Sequence, residues 1–188
     1  LATEGYFTPR IEQSVVAIDT GWRARVTVEP GEASRIASVK LEFQGAFAED
    51  AGTFSERSTA MRRAWPLRTG MVFQDALWVD GKAKLIRELH SKSYPAARIV
   101  ESLAEVDPDQ HSVSLHVVTD SGPAFRFGSL EITGIKALPE QIVTGLNPIK
   151  PGSPYDEEAL HEFQSRLQRT GYFSSVYVTA SNNPEQAS

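Results

Sequence analysis

The 188 residues hold 19 Lys and Arg against 24 Asp and Glu, a net charge of −5, which excludes a broad basic face for nucleic acid. Cysteine is absent, so disulfides, thiol catalysis and Cys-ligated zinc are excluded together, while the compartment stays open. At 40% hydrophobic and 23% charged the composition is that of a globular chain, and no apolar run nears the roughly 20 residues that cross a bilayer as a helix.

The opening "LATEGY" reads as the end of a helix, so a fragment of a longer protein is expected. After Gly5-Tyr6-Phe7, Ile11 to Ile18 runs to "DTG". "WRARVTVEPG" then alternates with Ala24, Val26 and Val28 on one face, a β-hairpin. Arg35 to Gly45 reads as a strand ending in Gly, and Phe54 to Trp65 as a short helix. A longer helix follows "LRTGMVFQDAL", with an apolar stripe at Leu85, Ile86 and Leu89 and with His90 and Lys92 at its end, suited to the dipole. Gly81 falls inside it and costs about 1 kcal/mol against Ala. Close packing of Trp78 or a strand, or a break in the helix, would account for it.

Ser93-Tyr94 then leads into a strand from Ile99 to Val106, a "DPDQ" turn and "HSVSLHVVTDSGP", alternating at Val113, Leu115 and Val117. The last stretch repeats the order. Arg126 to Gly134 is strand-like, Leu138 to Leu146 helix-like, and Leu160, Phe163 and Leu167 stripe a second helix. Ser153 is its expected cap, with Pro154 at the first helical position and Asp156 three residues on. Gly171-Tyr172-Phe173 and the alternating "SSVYVTA" follow, before the polar "SNNPEQAS".

Gly-Tyr-Phe thus stands at two helix exits and a degenerate Ser-Tyr at a third, making Tyr6, Tyr94 and Tyr172 equivalent. The unit is β-α-α-β-β. Residues 1–32 hold the end of a first copy, 33–121 a complete second, and 122–188 a third without its last strand. Two helices on one face of a three-stranded mixed sheet make a two-layer α/β sandwich.

Four stretches, "GYFTPRIEQSVV", "VTVEPGEASRIASVKLEFQG", "SGPAFRFGSLEITG" and "PIKPGSPYDEEALHEFQSRLQRTGYFSSVYV", together resemble the POTRA (polypeptide-transport-associated) domain. The likeness is greatest to the TamA-like outer-membrane assembly proteins of the BamA/TamA family. It implies a periplasmic scaffold attached to the outer membrane through a C-terminal β-barrel of the same polypeptide. It further implies a TamB-like inner-membrane-anchored subunit and outer-membrane client polypeptides as partners, in autotransporter and membrane-protein assembly. The arms of BamA and of two-partner secretion transporters are the alternatives. Ser93 departs from the usual Gly, which puts a left-handed exit there in doubt, and the loop "QGAFAEDAGTFSERS" is long for the family.

Catalytic chemistry is not legible. Asp19-Thr20-Gly21 matches the aspartic-protease triplet, but that chemistry takes two carboxylates sharing a proton, and one copy between two strands reads as a turn. A hydrolase using Asp19 is the remote alternative. His90, His111, His116 and His161 have no metal spacing, and His116 is expected to face solvent. No cofactor or metal site is expected. Arg57, Arg62, Arg63 and Arg68 read as a solvated helix face. Trp22, Trp65 and Trp78 are candidate binding anchors, with core packing the simpler reading.

Function is therefore sought at a sheet edge, whose unpaired N–H and C=O groups accept an extended chain almost regardless of its sequence. By the resemblance, the third strand of a module is central and the second is an edge. That makes Arg98, Ile99, Val100, Glu101, Ser102, Leu103 and Ala104 the candidate partner-binding residues, with Glu101 and Glu105 protecting the edge against aggregation. Pro30 and Gly31, and Gly122 and Pro123, are the candidate hinges between modules, short enough to limit swing.

Overall fold

A computed structural model describes residues 1–135 and 139–181. A 3-10 turn at Ala2–Glu4 ends at Gly5, in left-handed conformation at φ 84°. Strands β1 (Arg10–Ile18) and β2 (Gly21–Glu29) pair antiparallel from Arg10↔Glu29 to Ile18↔Gly21. The two residues between them, Asp19 and Thr20, make the tight turn that the "DTG" triplet was read to be.

Next come β3 (Arg35–Gln44), α1 (Ala46–Glu49), α2 (Phe54–Ala64), α3 (Asp75–Ser91), β4 (Arg98–Asp107) and β5 (Ser112–Asp120). The sheet order is β3-β5-β4. The central strand β5 is the most buried of the three: Val118 and Thr119 are buried, and Val113, Leu115 and Val117 are each at most 1% exposed. Full burial of such a side chain stabilises the fold by about 1.5–3 kcal/mol. Helices α4 (Glu140–Leu146) and α5 (Glu157–Arg169) follow.

By contact density the chain divides into two compact units. One comprises Leu1–Glu42, Arg62–Lys84 and Glu101–Val117. Its buried residues include Ile36, Leu41, Trp65, Leu67, Phe73 and Trp78. The β1–β2 hairpin belongs to it, yet every residue of both strands is exposed.

The other unit comprises Phe43–Met61, Leu85–Val100 and the chain from Val118 on. Phe47 is fully buried there, with edge-on contacts to Phe43, Phe54 and Tyr94 at 5.2–5.5 Å. It sits on α1, inside the stretch that reads from sequence only as a long loop. Asp50 closes that loop by accepting from the N–H groups of Gly52 and Thr53 and from the Thr53 hydroxyl. Val143, Phe163 and Leu167 form a second cluster in this unit, flanked by Ile132, Ile135, Phe173, Val176 and Val178.

Several expectations are corrected. Helix α3 runs unbroken through Gly81, and the close neighbours are Trp65 and Pro66. Ser93 does take the left-handed exit, at φ 68°. Ser153 does not cap α5; its hydroxyl donates to Lys150 O, and Asp156 is the N-cap, accepting from Glu158 N–H at 3.0 Å. Pro154 lies in an isolated bridge with Arg126 instead of at the first helical position.

The expected strands at Arg126–Gly134 and around "VYVTA" form no ladder. In the second copy both counterparts pair with β5, and the third copy has no counterpart of β5 among the described residues. Their apolar alternation survives as contacts to the Phe163 cluster. The expected helix start at Leu138 and the "SNNPEQAS" tail beyond Ser181 lie outside the described residues.

Candidate docking edge

Strand β4 stands at the end of the sheet order, as the resemblance implies for the second strand of a module. Arg98 pairs with Asp120 on the neighbouring β5, Nη2 to Oδ2 at 2.9 Å. Ile99 and Ala104 are half-buried, while Val100 and Leu103 are 47% and 49% exposed. Ser102 Oγ accepts from Lys82 Nζ at 3.1 Å, and the same ammonium lies 4.6 Å from the Trp78 ring centroid. Helix α3 thus reaches β4 at Ser102 through Lys82, while Val79 on the helix is 54% exposed.

On the opposite face, Glu101 Oε1 lies 3.4 Å from His116 Nδ1, and Glu42 Oε1 lies 3.4 Å from His116 Nε2. His116 is thus half-buried between carboxylates of both neighbouring strands, where a solvent-facing position was expected. The hydrogen bond from Lys40 holds the Glu42 carboxyl below its usual value. A row of polar side chains, Glu101, His116 and Glu42, runs across all three strands beside the edge. Glu101 and Glu105 are exposed along β4, which suits an edge kept from pairing with its own kind.

The candidate hinges are more constrained than their composition implies. Gly31 takes φ 79°, and a Cβ there would lie 2.8 Å from Thr8 O. Gly122 takes φ 63°; its N–H donates to Asp120 Oδ1 at 2.9 Å and its carbonyl accepts from Ala46 N–H at 3.1 Å. Pro30 and Pro123 stand beside them.

Other candidates disperse. Asp19 is exposed in its turn. His90 Nε2 lies 2.8 Å from Ala97 O, His111 faces Glu32, and His161 faces Glu157. Among the described residues no three His, Cys, Asp or Glu side chains converge as metal ligands, and no helix is long and apolar enough to cross a membrane. Trp65 and Trp78 are core residues, 4% and 6% exposed, in an edge-on pair, whereas Trp22 is 76% exposed. Arg57 is not part of a solvated face. Its guanidinium lies over the Phe47 and Tyr94 rings at 5.3 and 5.8 Å and donates to Glu88 O at 2.9 Å. Sequence spacing gave no sign of this, because its aromatic partners come from α1 and from the α3 exit.

The comparisons agree with this fold. The POTRA family (surface antigen variable number repeat) matches residues 125–187. A curated relative, the outer membrane protein assembly factor BamA of Neisseria meningitidis serogroup B, is 22% identical over 85% of the chain, which spans 21% of that protein. BamA POTRA domains 3–5 of Haemophilus influenzae superpose with a TM-score of 0.57 at 19% identity, over 93% of this chain and 66% of theirs. BamA of Haemophilus ducreyi lacking POTRA domains 1–3 gives 0.60 at 13% identity, over 81% of this chain and 27% of that one. Residues 125–187 thus match the POTRA family, and the fold of the chain is similar to that of BamA POTRA domains.

Proposed function

We propose that the chain is part of a periplasmic POTRA arm of an outer-membrane assembly protein, a non-enzymatic docking scaffold for partner subunits and client chains. The observation that carries this reading is β4 at the sheet edge, with Val100 and Leu103 turned to solvent and α3 alongside it at Ser102. An extended segment pairing with that edge would gain main-chain hydrogen bonds from β4 and side-chain contacts from the exposed Val100 and Leu103. Within this reading the arm is TamA-like, with a TamB-like partner. The BamA alternative has equal support, from the N. meningitidis relative, and the number of POTRA units in the full gene separates the two: three for TamA-like proteins and five for BamA.

The test is photocrosslinking from positions 98–106 in cells, with the captured chains identified. Leu103→Pro should abolish capture while the circular dichroism melt persists. Capture that survives the proline, in a folded chain, would remove this edge from consideration.

A further inference from the structure

Two places in the chain share one hydrogen-bond pattern. At the first, Ser34 N–H donates to the carbonyl of Gly5, the left-handed exit residue, at 2.8 Å, and Ser34 O accepts from Phe73 N–H at 3.0 Å. Ile36 N–H donates to Met71 O and Ile36 O accepts from Gly70 N–H, both at 2.8 Å. Arg35 Nη1 donates to Gly70 O at 2.9 Å.

At the second, Phe125 N–H donates to the carbonyl of Ser93, again a left-handed exit, at 2.7 Å, and Phe125 O accepts from Tyr155 N–H at 3.0 Å. Phe127 N–H donates to Ser153 O at 2.9 Å and Phe127 O accepts from Gly152 N–H at 2.6 Å. Arg126 Nη1 donates to Gly152 O at 2.8 Å. Each set encloses one isolated antiparallel bridge, Arg35↔Val72 and Arg126↔Pro154.

We infer that the helix exit of each repeat is a plug, that the short antiparallel bridge opening the next repeat is its socket, and that Arg35 and Arg126 are the positioning residues of the two sockets. The left-handed exit turns a carbonyl out of the helix, and the first strand of the bridge supplies the N–H that holds it. The fit at Gly5 is close: a Cβ would lie 2.8 Å from Phe73 O. At Ser93 the backbone N–H is bound as well, donating to Tyr155 O at 2.9 Å. Gly70 and Gly152 both take positive φ, 87° and 81°, and offer carbonyls to which a permanently charged, planar guanidinium donates.

Each plug and its socket fall within one compact unit, Gly5 with residues 34–36 and 70–73, Ser93 with residues 125–127 and 152–155. The joints are therefore as much a part of these units as the sheet strands are. Their angle is set by backbone hydrogen bonds, and the Pro-Gly and Gly-Pro pairs nearby only carry the chain across.

Because the chain has no cysteine, nitroxide pairs can be placed at will. One pair at Ser14 and Ala83 reads the first joint and another at Arg87 and Ser165 reads the second; all four positions are exposed. Arg126→Gln should at least double the width of the Arg87–Ser165 distance distribution and leave the Ser14–Ala83 distribution alone. Arg35→Gln should do the reverse. Unchanged widths in both folded variants would overturn the assignment. In the unmodified chain, the amides of Ser34 and Phe125 should exchange as slowly as those of β5. Exchange of either at the rate of an exposed loop would also overturn it, whether or not the variants fold.

Discussion

Gly81 presents its bare α-carbon to the Trp65 ring: a Cβ there would lie 2.9 Å from Cζ3 and 3.0 Å from Pro66 Cδ. Helix propensity alone makes Gly81→Ala stabilising by about 1 kcal/mol. The ring cannot retreat, because Trp65 is buried and packed edge-on against Trp78 at 5.8 Å. Overpacking of that kind costs about 1–3 kcal/mol, so steric strain outweighs propensity. The variant should be less stable by about 1–2 kcal/mol, a loss of several degrees in melting temperature. A melting temperature equal to or above that of the parent would show that the indole yields.

Tyr94 and Tyr172 are equivalent in sequence and opposite in burial. Tyr94 is 2% exposed, under Phe47 and Arg57, and Tyr172 is 64% exposed. Truncating a buried aromatic costs about 3–5 kcal/mol, while a surface change stays within about 0.5 kcal/mol. Urea titrations of Tyr94→Ala and Tyr172→Ala should separate by that margin. Equal midpoints would mean that the two exits are alike after all.

This pair marks where sequence reasoning held and where it stopped. Spacing and alternation located the hairpin, β3, α2, α3 and the central β5, because each is a local pattern in one face of one element. The edge position of β4 came from the resemblance. Spacing could not show that the third copy leaves its strand-like stretches unpaired, because a ladder depends on a partner strand elsewhere. Nor could it show Phe47 as a core residue, since α1 is a single turn inside a polar loop. Nor could it separate the neighbours Tyr172 and Phe173, of which Tyr172 is exposed and Phe173 reaches the Phe163 cluster. The Ser93 exit was doubted on intrinsic cost, about 1–2 kcal/mol for left-handed backbone. Its two backbone hydrogen bonds to the following repeat offset that cost, and they join residues far apart in the chain.

The buried Tyr94 and the half-buried Tyr155 set an alkaline limit. Burial, aided by the nearby Asp50 charge, pushes the Tyr94 hydroxyl above its ordinary value of 10.0, and burial with Glu157 and Asp156 does the same for Tyr155. In the unfolded chain both ionise near 10. The folded state then holds protons that the unfolded state has lost, so stability is intact below about pH 10 and falls as pH rises through the folded values. Melting temperature followed from pH 8 to 11.5 should decline above about 10. Tyr94→Phe should soften that decline; an identical slope in the variant would exclude Tyr94 as a source.

The β1–β2 hairpin carries most of its apolar residues on one face, where the register sets Ile11 opposite Val28, Val15 opposite Ala24 and Ala17 opposite Trp22. That face is open, with Trp22 76% and Val15 63% exposed. A lone two-stranded ribbon is marginal in water, so its amides should exchange by local opening long before those of β5. Trp22 is one of three tryptophans, and the other two are buried. Trp22→Phe should therefore remove the iodide-quenchable, red-shifted part of the emission and leave a blue-shifted remainder resistant to quenching. The same substitution should move the melting temperature by less than about 2 °C, since an exposed position contributes within about 0.5 kcal/mol. Emission that stays equally quenchable without Trp22 would place one of the buried indoles in solvent and contradict the core drawn around Trp65 and Trp78.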